Sequence, residues 1–193
     1  MEYSSMSIFV RSLAAALFLL GILLAKALQP EPTRFPAGEE PGTVAVADVN
    51  GDRKPDILVA NIRSGNVTVL LGDGKDGFRQ AEGSPFPAGN SPNDIAVADF
   101  NGDRKPDLAF ANHDTHYVTV LLGNGKGGFA PSQASPVTVQ SKPHPHGIAA
   151  ADFNGDRRTD LVVESWEDDK IEVLFGDGKG GFKTPGQIGR AHV

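Results

Sequence analysis

Cysteine is absent from the 193 residues. Its absence excludes a disulfide framework, the usual staple of small secreted domains, and a lipid anchor on an N-terminal cysteine. Long apolar runs are lacking too. The run LAAALFLLGILLA at 13–25 has thirteen residues, short of the roughly twenty that a membrane-spanning helix needs. Basic charge is in deficit, with 18 Lys and Arg against 24 Asp and Glu, which argues against a nucleic-acid partner. No G-x-S-x-G nucleophile motif occurs, and that removes one common route to acyl transfer.

The short apolar run follows Arg11 and precedes Ala25-Lys26-Ala27, a small-x-small pattern. This predicts a secretory signal peptide over 1–27, cleaved after Ala27, with an uncleaved anchor as the alternative. Without Arg11, Lys26 and Glu2 the remainder holds 16 basic and 23 acidic side chains, a net charge of −7. The expected location is secreted, extracellular or periplasmic, with no stable membrane span after cleavage. A secreted chain without disulfides needs another staple, and a metal ion is the obvious one.

What the chain does have is repetition. The pattern D-x-N-G-D-x-x-x-D occurs as DVNGDRKPD at 48–56, DFNGDRKPD at 99–107 and DFNGDRRTD at 152–160. Residues 35–78 lie over 86–129 with a shift of 51 and no gap, and a third copy at 145–182 is shifted by a further 53. Within a copy the apolar runs are short, as in IAVA (95–98), DLAFA (107–111) and YVTVLL (117–122). Bounded by Asn, Gly, Asp and Pro, they read as strands. GNGKGG at 123–128 supplies hairpin glycines, and Phe129 opens a weaker fourth strand. Four strands at a period near 50 predict an all-β fold of β-propeller blades, each of four antiparallel strands. Three blades are present, as an open arc or partial propeller. The expected divisions are a signal peptide at 1–27, a linker at 28–34, blades at 35–85, 86–135 and 136–187, and a tail at 188–193. That tail, IGRAHV, continues no repeat and is expected to be foreign to the gene. Closed propellers usually have about four to eight blades, so the chain is expected to be part of a longer protein.

These copies resemble the FG-GAP/VCBS repeats of integrin-α-like β-propellers. The resemblance covers about 35–182 and rests on the acidic loop, the strand after it and the later LLGNGKGGF-type segment, in fixed order. It implies calcium bound in each loop, about three ions in all. The implied ligands are Asp48, Asn50, Asp52, Asp56 and the Lys54 carbonyl in the first copy. In the second they are Asp99, Asn101, Asp103, Asp107 and the Lys105 carbonyl, and in the third Asp152, Asn154, Asp156, Asp160 and the Arg158 carbonyl. Where the family commonly has Gly at loop position 6, this chain has Arg53, Arg104 and Arg157. The chemistry agrees with a hard cation taking six to eight oxygens; magnesium, with its stricter octahedron, suits the loop less well. The competing reading is a solvated acidic loop. Against it stands the repulsion between two carboxylates about 4 Å apart, roughly 4 kcal/mol at an effective dielectric near 20. An EF-hand is excluded, since Gly at position 6 and Glu at position 12 are missing. Replacing Asp107 is expected to remove one site while changing the metal-free chain little.

Of the five histidines, His113, His116, His144, His146 and His192, none recurs from copy to copy. They read as separate exposed loop residues, not a zinc site. Glu164 and Asp168 form no recognisable acid–base pair, and the G-x-G-x-x-G matches are turn chemistry with no helix to follow. The loops at 62–66, 113–117 and 166–170 differ while their flanking strands scarcely do. Strand parity places them on the face opposite the acidic loops. His113, His116, Trp166 and Asp168 are therefore candidates for a ligand face, with unconstrained surface loops as the alternative. The expected function is non-catalytic: secreted calcium-binding repeats that bind or adhere to an unknown protein or glycan ligand. The rival readings are the propeller portion of a secreted carbohydrate-active enzyme such as a lyase, and a structural spacer.

Overall fold

A computed structural model describes residues 33–140, 144–165, 167 and 169–183. The expected signal peptide, most of the linker, the tail at 188–193, Trp166 and Asp168 lie outside the described residues. The chain divides into two units, 1–35 and 36–193, and the architecture below is that of the second. Among the described residues no helix is long and apolar enough to cross a membrane.

The regular structure is all strand. The first sheet comprises β1 (Pro41–Ala47), β2 (Asp56–Asn61), β3 (Asn66–Gly72) and β4 (Phe78–Gln80) in that order, with β5 (Phe86–Pro87) also pairing β3. The second comprises β6 (Pro92–Ala98), β7 (Asp107–Asn112) and β8 (Tyr117–Gly123), with β9 (Phe129–Pro131) and β10 (Val137–Thr138) both pairing β8. The third runs β11 (Pro145–Ala151), β12 (Asp160–Ser165), β13 (Lys170–Gly176), β14 (Phe182–Lys183). Neighbouring strands are antiparallel. These are three blades of an open, partial propeller, and none closes into a barrel.

Packing explains the strand sequences. The second sheet is covered on both faces, so β7 (DLAFAN) is buried along its whole length. Its parity divides the side chains by size. Leu108 and Phe110 enter the core shared with the first sheet, beside Leu58, Val67, Val69 and Leu71. Ala109 and Ala111 face the other core, where Phe100, Val118, Val120, Leu161 and Leu174 fill the space. Burying one such large side chain contributes about 1.5–3 kcal/mol, which makes these two seams the main source of stability. The outer faces of the end sheets are different. Val44 and Val46 on β1 are exposed, although their repeat equivalents Ile95 and Val97 pack into the first seam.

The outer edge departs from a single fourth strand. In the first two sheets it is split: β4 pairs Leu70–Gly72 and β5 pairs Asn66 and Val67, and β9 and β10 divide β8 likewise. Between the pieces a Ser-Pro step turns the chain, and the serine fills the gap in the ladder. Ser84 Oγ accepts from Val69 N at 2.9 Å and Ser135 Oγ from Val120 N at 3.0 Å. The serine oxygen thus supplies the acceptor that a strand carbonyl would otherwise give to these two N–H groups. The sequence repeat and the sheet are also offset, because Phe86–Pro87 opens the second copy yet completes the first sheet.

Candidate metal centre

Each acidic loop joins the first two strands of a sheet: 48–55 between β1 and β2, 99–106 between β6 and β7, 152–159 between β11 and β12. The first-position carboxylate organises the turn. Asp48 Oδ1 accepts from Gly51 N at 2.7 Å and, less closely, from Asn50 N and Asp52 N, while Oδ2 accepts from Arg53 N at 2.7 Å. Asp99 does the same with Gly102 and Arg104, and Asp152 with Gly155 and Arg157. The backbone amides can reach one carboxylate only if the chain coils tightly. Gly51, Gly102 and Gly155 accordingly have φ of 78°, 81° and 78°, values natural to glycine. Arg53, Arg104 and Arg157 follow at 65°, 64° and 67°. The arginines thus take a left-handed conformation ordinarily left to glycine, at a cost of about 1–2 kcal/mol each, offset in part by the N–H bond to the aspartate.

The field of those amides shows in the acidity. Slight burial raises the Asp48 carboxyl, but the N–H groups of Arg53, Gly51, Asn50 and Asp52 outweigh it and hold the group below its ordinary range. Asp152 is lowered chiefly by the Arg157 N–H. Along the loop, Asn50 Oδ1 accepts from Asp52 N and Asp52 Oδ1 from Lys54 N, each two residues on.

The ninth-position carboxylates behave otherwise. Asp56, Asp107 and Asp160 are 0% exposed. Asp107 Oδ2 accepts from Phe100 N at 2.9 Å and Oδ1 from Gly123 N at 2.8 Å. Asp56 holds Val49 N and Gly72 N, and Asp160 holds Phe153 N and Gly176 N, in the same way. Each therefore ties its loop to the end of the third strand. A glycine is required opposite, because a Cβ on Gly123 would run into the Pro106 carbonyl. Burial pushes the Asp107 carboxyl up, with the charges of Asp103 and Asp99 adding to the rise, while the Gly123 and Phe100 N–H groups pull it down. A buried carboxylate facing two others calls for a positive charge. Part of that charge comes from Lys105, whose Nζ lies 2.9 Å from Asp103 Oδ2; in the first loop the Lys54–Asp52 pair is looser, at 3.7 Å.

The donor set fits a hard cation. A carboxylate oxygen that accepts one N–H keeps a second lone pair, and each loop offers three carboxylates and an amide oxygen. Beside the first loop a cleft of about 400 Å³ is lined by Asn50, Asp52, Lys54 and Asp73. The backbone of each loop is set in advance by its bonds to the first-position carboxylate. Among the described residues, the His, Asp and Glu group with ligand atoms all within 4.8 Å of one another is His113, Asp114 and His144, elsewhere in the fold. The first two loops are also capped by the next copy. Gly127 N donates to the Val49 carbonyl at 3.1 Å and Gly180 N to the Phe100 carbonyl at 3.0 Å. Among the described residues the third loop receives no such bond, and its Phe153 is 49% exposed where Phe100 and Val49 are 1% exposed.

On the opposite face, His113 and His116 occupy the turn between β7 and β8, as expected. For His113, His144 and His146 the reading as separate exposed loop residues is corrected; His116 is exposed in its turn, in line with that reading, and His192 lies outside the described residues. His144 and His146, at the start of β11, pack edge-on against His113 with ring centroids 4.5 and 4.4 Å away, and all three are half-buried. Asp114 and Glu167, which the sequence gave no reason to single out, contact His113 and His144 respectively. The one signal available beforehand was the density of histidine in PHPHG at 143–147.

The sequence pattern of the family described as FG-GAP-like repeat matches the chain twice, at residues 48–110 and 99–163. Each match begins at one acidic loop and runs through the next into the following strand, so the two together span 48–163. No curated protein matches the chain.

Proposed function

The chain belongs to the FG-GAP-like repeat family, and from that premise we propose that it is a secreted, calcium-binding propeller segment with a role in binding or adhesion and not in catalysis. The observation that carries the reading is the threefold recurrence of one loop, in which a buried aspartate stands beneath two further carboxylates. Asp48, Asn50, Asp52, Asp56 and the Lys54 carbonyl hold the ion in the first loop. Asp99, Asn101, Asp103, Asp107 and the Lys105 carbonyl do so in the second, and Asp152, Asn154, Asp156, Asp160 and the Arg158 carbonyl in the third. The bound ion supplies the further positive charge that three carboxylates in one loop call for and fixes the first strand of a blade to the second. The binding role rests on the contrast between two faces, one repeated and acidic, the other carrying loops that differ from copy to copy.

Titration calorimetry with calcium, and with magnesium as comparison, tests this. Close to three calcium ions per chain are expected, with magnesium weaker. Calcium at a hundredfold excess over Kd should stabilise the fold by about 2.7 kcal/mol per site. A folded sample that takes up no calcium would overturn the assignment.

A further inference from the structure

The histidine cluster at the seam between the second and third blades is a second kind of metal site. We propose that it binds one divalent transition-metal ion, of the zinc type, between His113 Nε2 and His144 Nδ1, with the remaining coordination positions open to water or to a donor from a ligand. The site lies in the β7–β8 turn and at the start of β11, on the face opposite the acidic loops, and it is independent of calcium there.

Proton accounting leads to it. His113 Nδ1 lies 2.9 Å from Asp114 Oδ1, and His144 Nε2 lies 3.2 Å from Glu167 Oε1. An ionised carboxylate can only accept, so in each neutral ring that nitrogen carries the proton and the other nitrogen presents a bare lone pair. The two bare nitrogens are His113 Nε2 and His144 Nδ1, and they face each other at 3.3 Å. Two lone pairs at that distance repel unless a cation lies between them. The separation matches the edge of a tetrahedron around zinc, about 3.4 Å for Zn–N bonds near 2.05 Å. A metal-ligating histidine ordinarily donates its other N–H to a carboxylate, and here both do.

The fold fixes these contacts. Glu40, Ser91 and His144 are equivalent in the three copies, as are Arg63, Asp114 and Glu167. In every copy the two side chains meet: Glu40 with Arg63 at 3.2 Å, Ser91 with Asp114 at 2.9 Å, His144 with Glu167 at 3.2 Å. The geometry is therefore a property of the repeat, and the third copy fills it with a histidine and its orienting carboxylate. His146 packs at 84° to the His113 ring, restricting its rotation. Asp114 and Glu167 are positioning residues for the two ligands.

Zinc chloride titrated into the full chain, with calcium present in excess to occupy the acidic loops, tests the site. One zinc ion per chain is expected. His113→Gln and His144→Gln should each weaken it at least tenfold, and Asp114→Asn or Glu167→Gln about 10- to 100-fold. His116→Gln, a change in the same turn but outside the cluster, should leave zinc affinity unaltered. Cobalt, used as a spectroscopic probe, should give visible bands that vanish in His144→Gln. Each variant is checked by its calcium-induced rise in Tm, so that loss of zinc is separated from loss of fold. If a folded chain takes up no zinc, the two rings share a proton and the proposal falls. It falls equally if zinc binds as well to His113→Gln and His144→Gln as to the parent.

Discussion

Asp107 is the residue on which the sequence and the structure differ most. Read as the ninth member of D-x-N-G-D-x-x-x-D, it is a metal ligand whose loss leaves the metal-free chain alone. In the fold it is fully buried and holds two backbone amides, Phe100 N and Gly123 N. Asp107→Ala should therefore destabilise the chain even in chelator. Leaving two buried N–H groups without an acceptor costs about 1–3 kcal/mol each, so a loss of at least about 2 kcal/mol is expected in urea denaturation. An unchanged urea midpoint in chelator would return Asp107 to the role of ligand alone. The oxygen inventory of the loop was legible in the sequence because every ligand type is written there. Which aspartate goes inside was not, because positions 1 and 9 carry the same side chain. Their fates are set by the strand that follows position 9 and by the glycine it meets on the third strand.

At the scale of elements, β7 was readable as strand from the short apolar run DLAFA and the turn formers that bound it, and the loops fall at the sheet ends that strand parity assigns. The split edge was not readable, since Ser84 and Ser135 supply a ladder bond that ordinarily comes from backbone, and the pattern of apolar residues carries no trace of it. Position also decides what an identical residue is worth. Phe100 and Phe153 occupy the same place in successive copies, but Phe100 packs against Phe182 at 5.6 Å between ring centroids, while Phe153 is half exposed. Phe100→Ala should cost about 3–5 kcal/mol. Phe153→Ala should cost about 1 kcal/mol or less, as surface changes do. Equal losses in the two variants, measured by thermal or urea unfolding, would mean that the seam between the second and third sheets is not packed as described.

For the whole molecule, three loops of nearly one sequence are not in one environment. The first two are capped by glycine hairpins of the following copy, through Gly127 and Gly180. Preorganisation of this kind lowers the cost of binding. Calcium titration should therefore resolve two tighter sites and one weaker. Asp156→Asn should remove the weak phase while leaving the tight ones, whereas Asp103→Asn should remove a tight one. Three indistinguishable sites would show that the cap does not matter. The histidine cluster belongs to this scale as well. His113 and His144 stand 31 residues apart in different copies and recur nowhere, so only the packing of one blade on the next brings them together. The offset between repeat and sheet has its own consequence for how the chain is made. Since β5 and β10 come from the opening residues of the next copy, neither of the first two blades can finish its outer edge until its successor has begun to leave the ribosome. Closure therefore runs from the N-terminus in the order of translation, and a nascent chain paused between copies presents the open side of β3 or β8 to its neighbours on the same message.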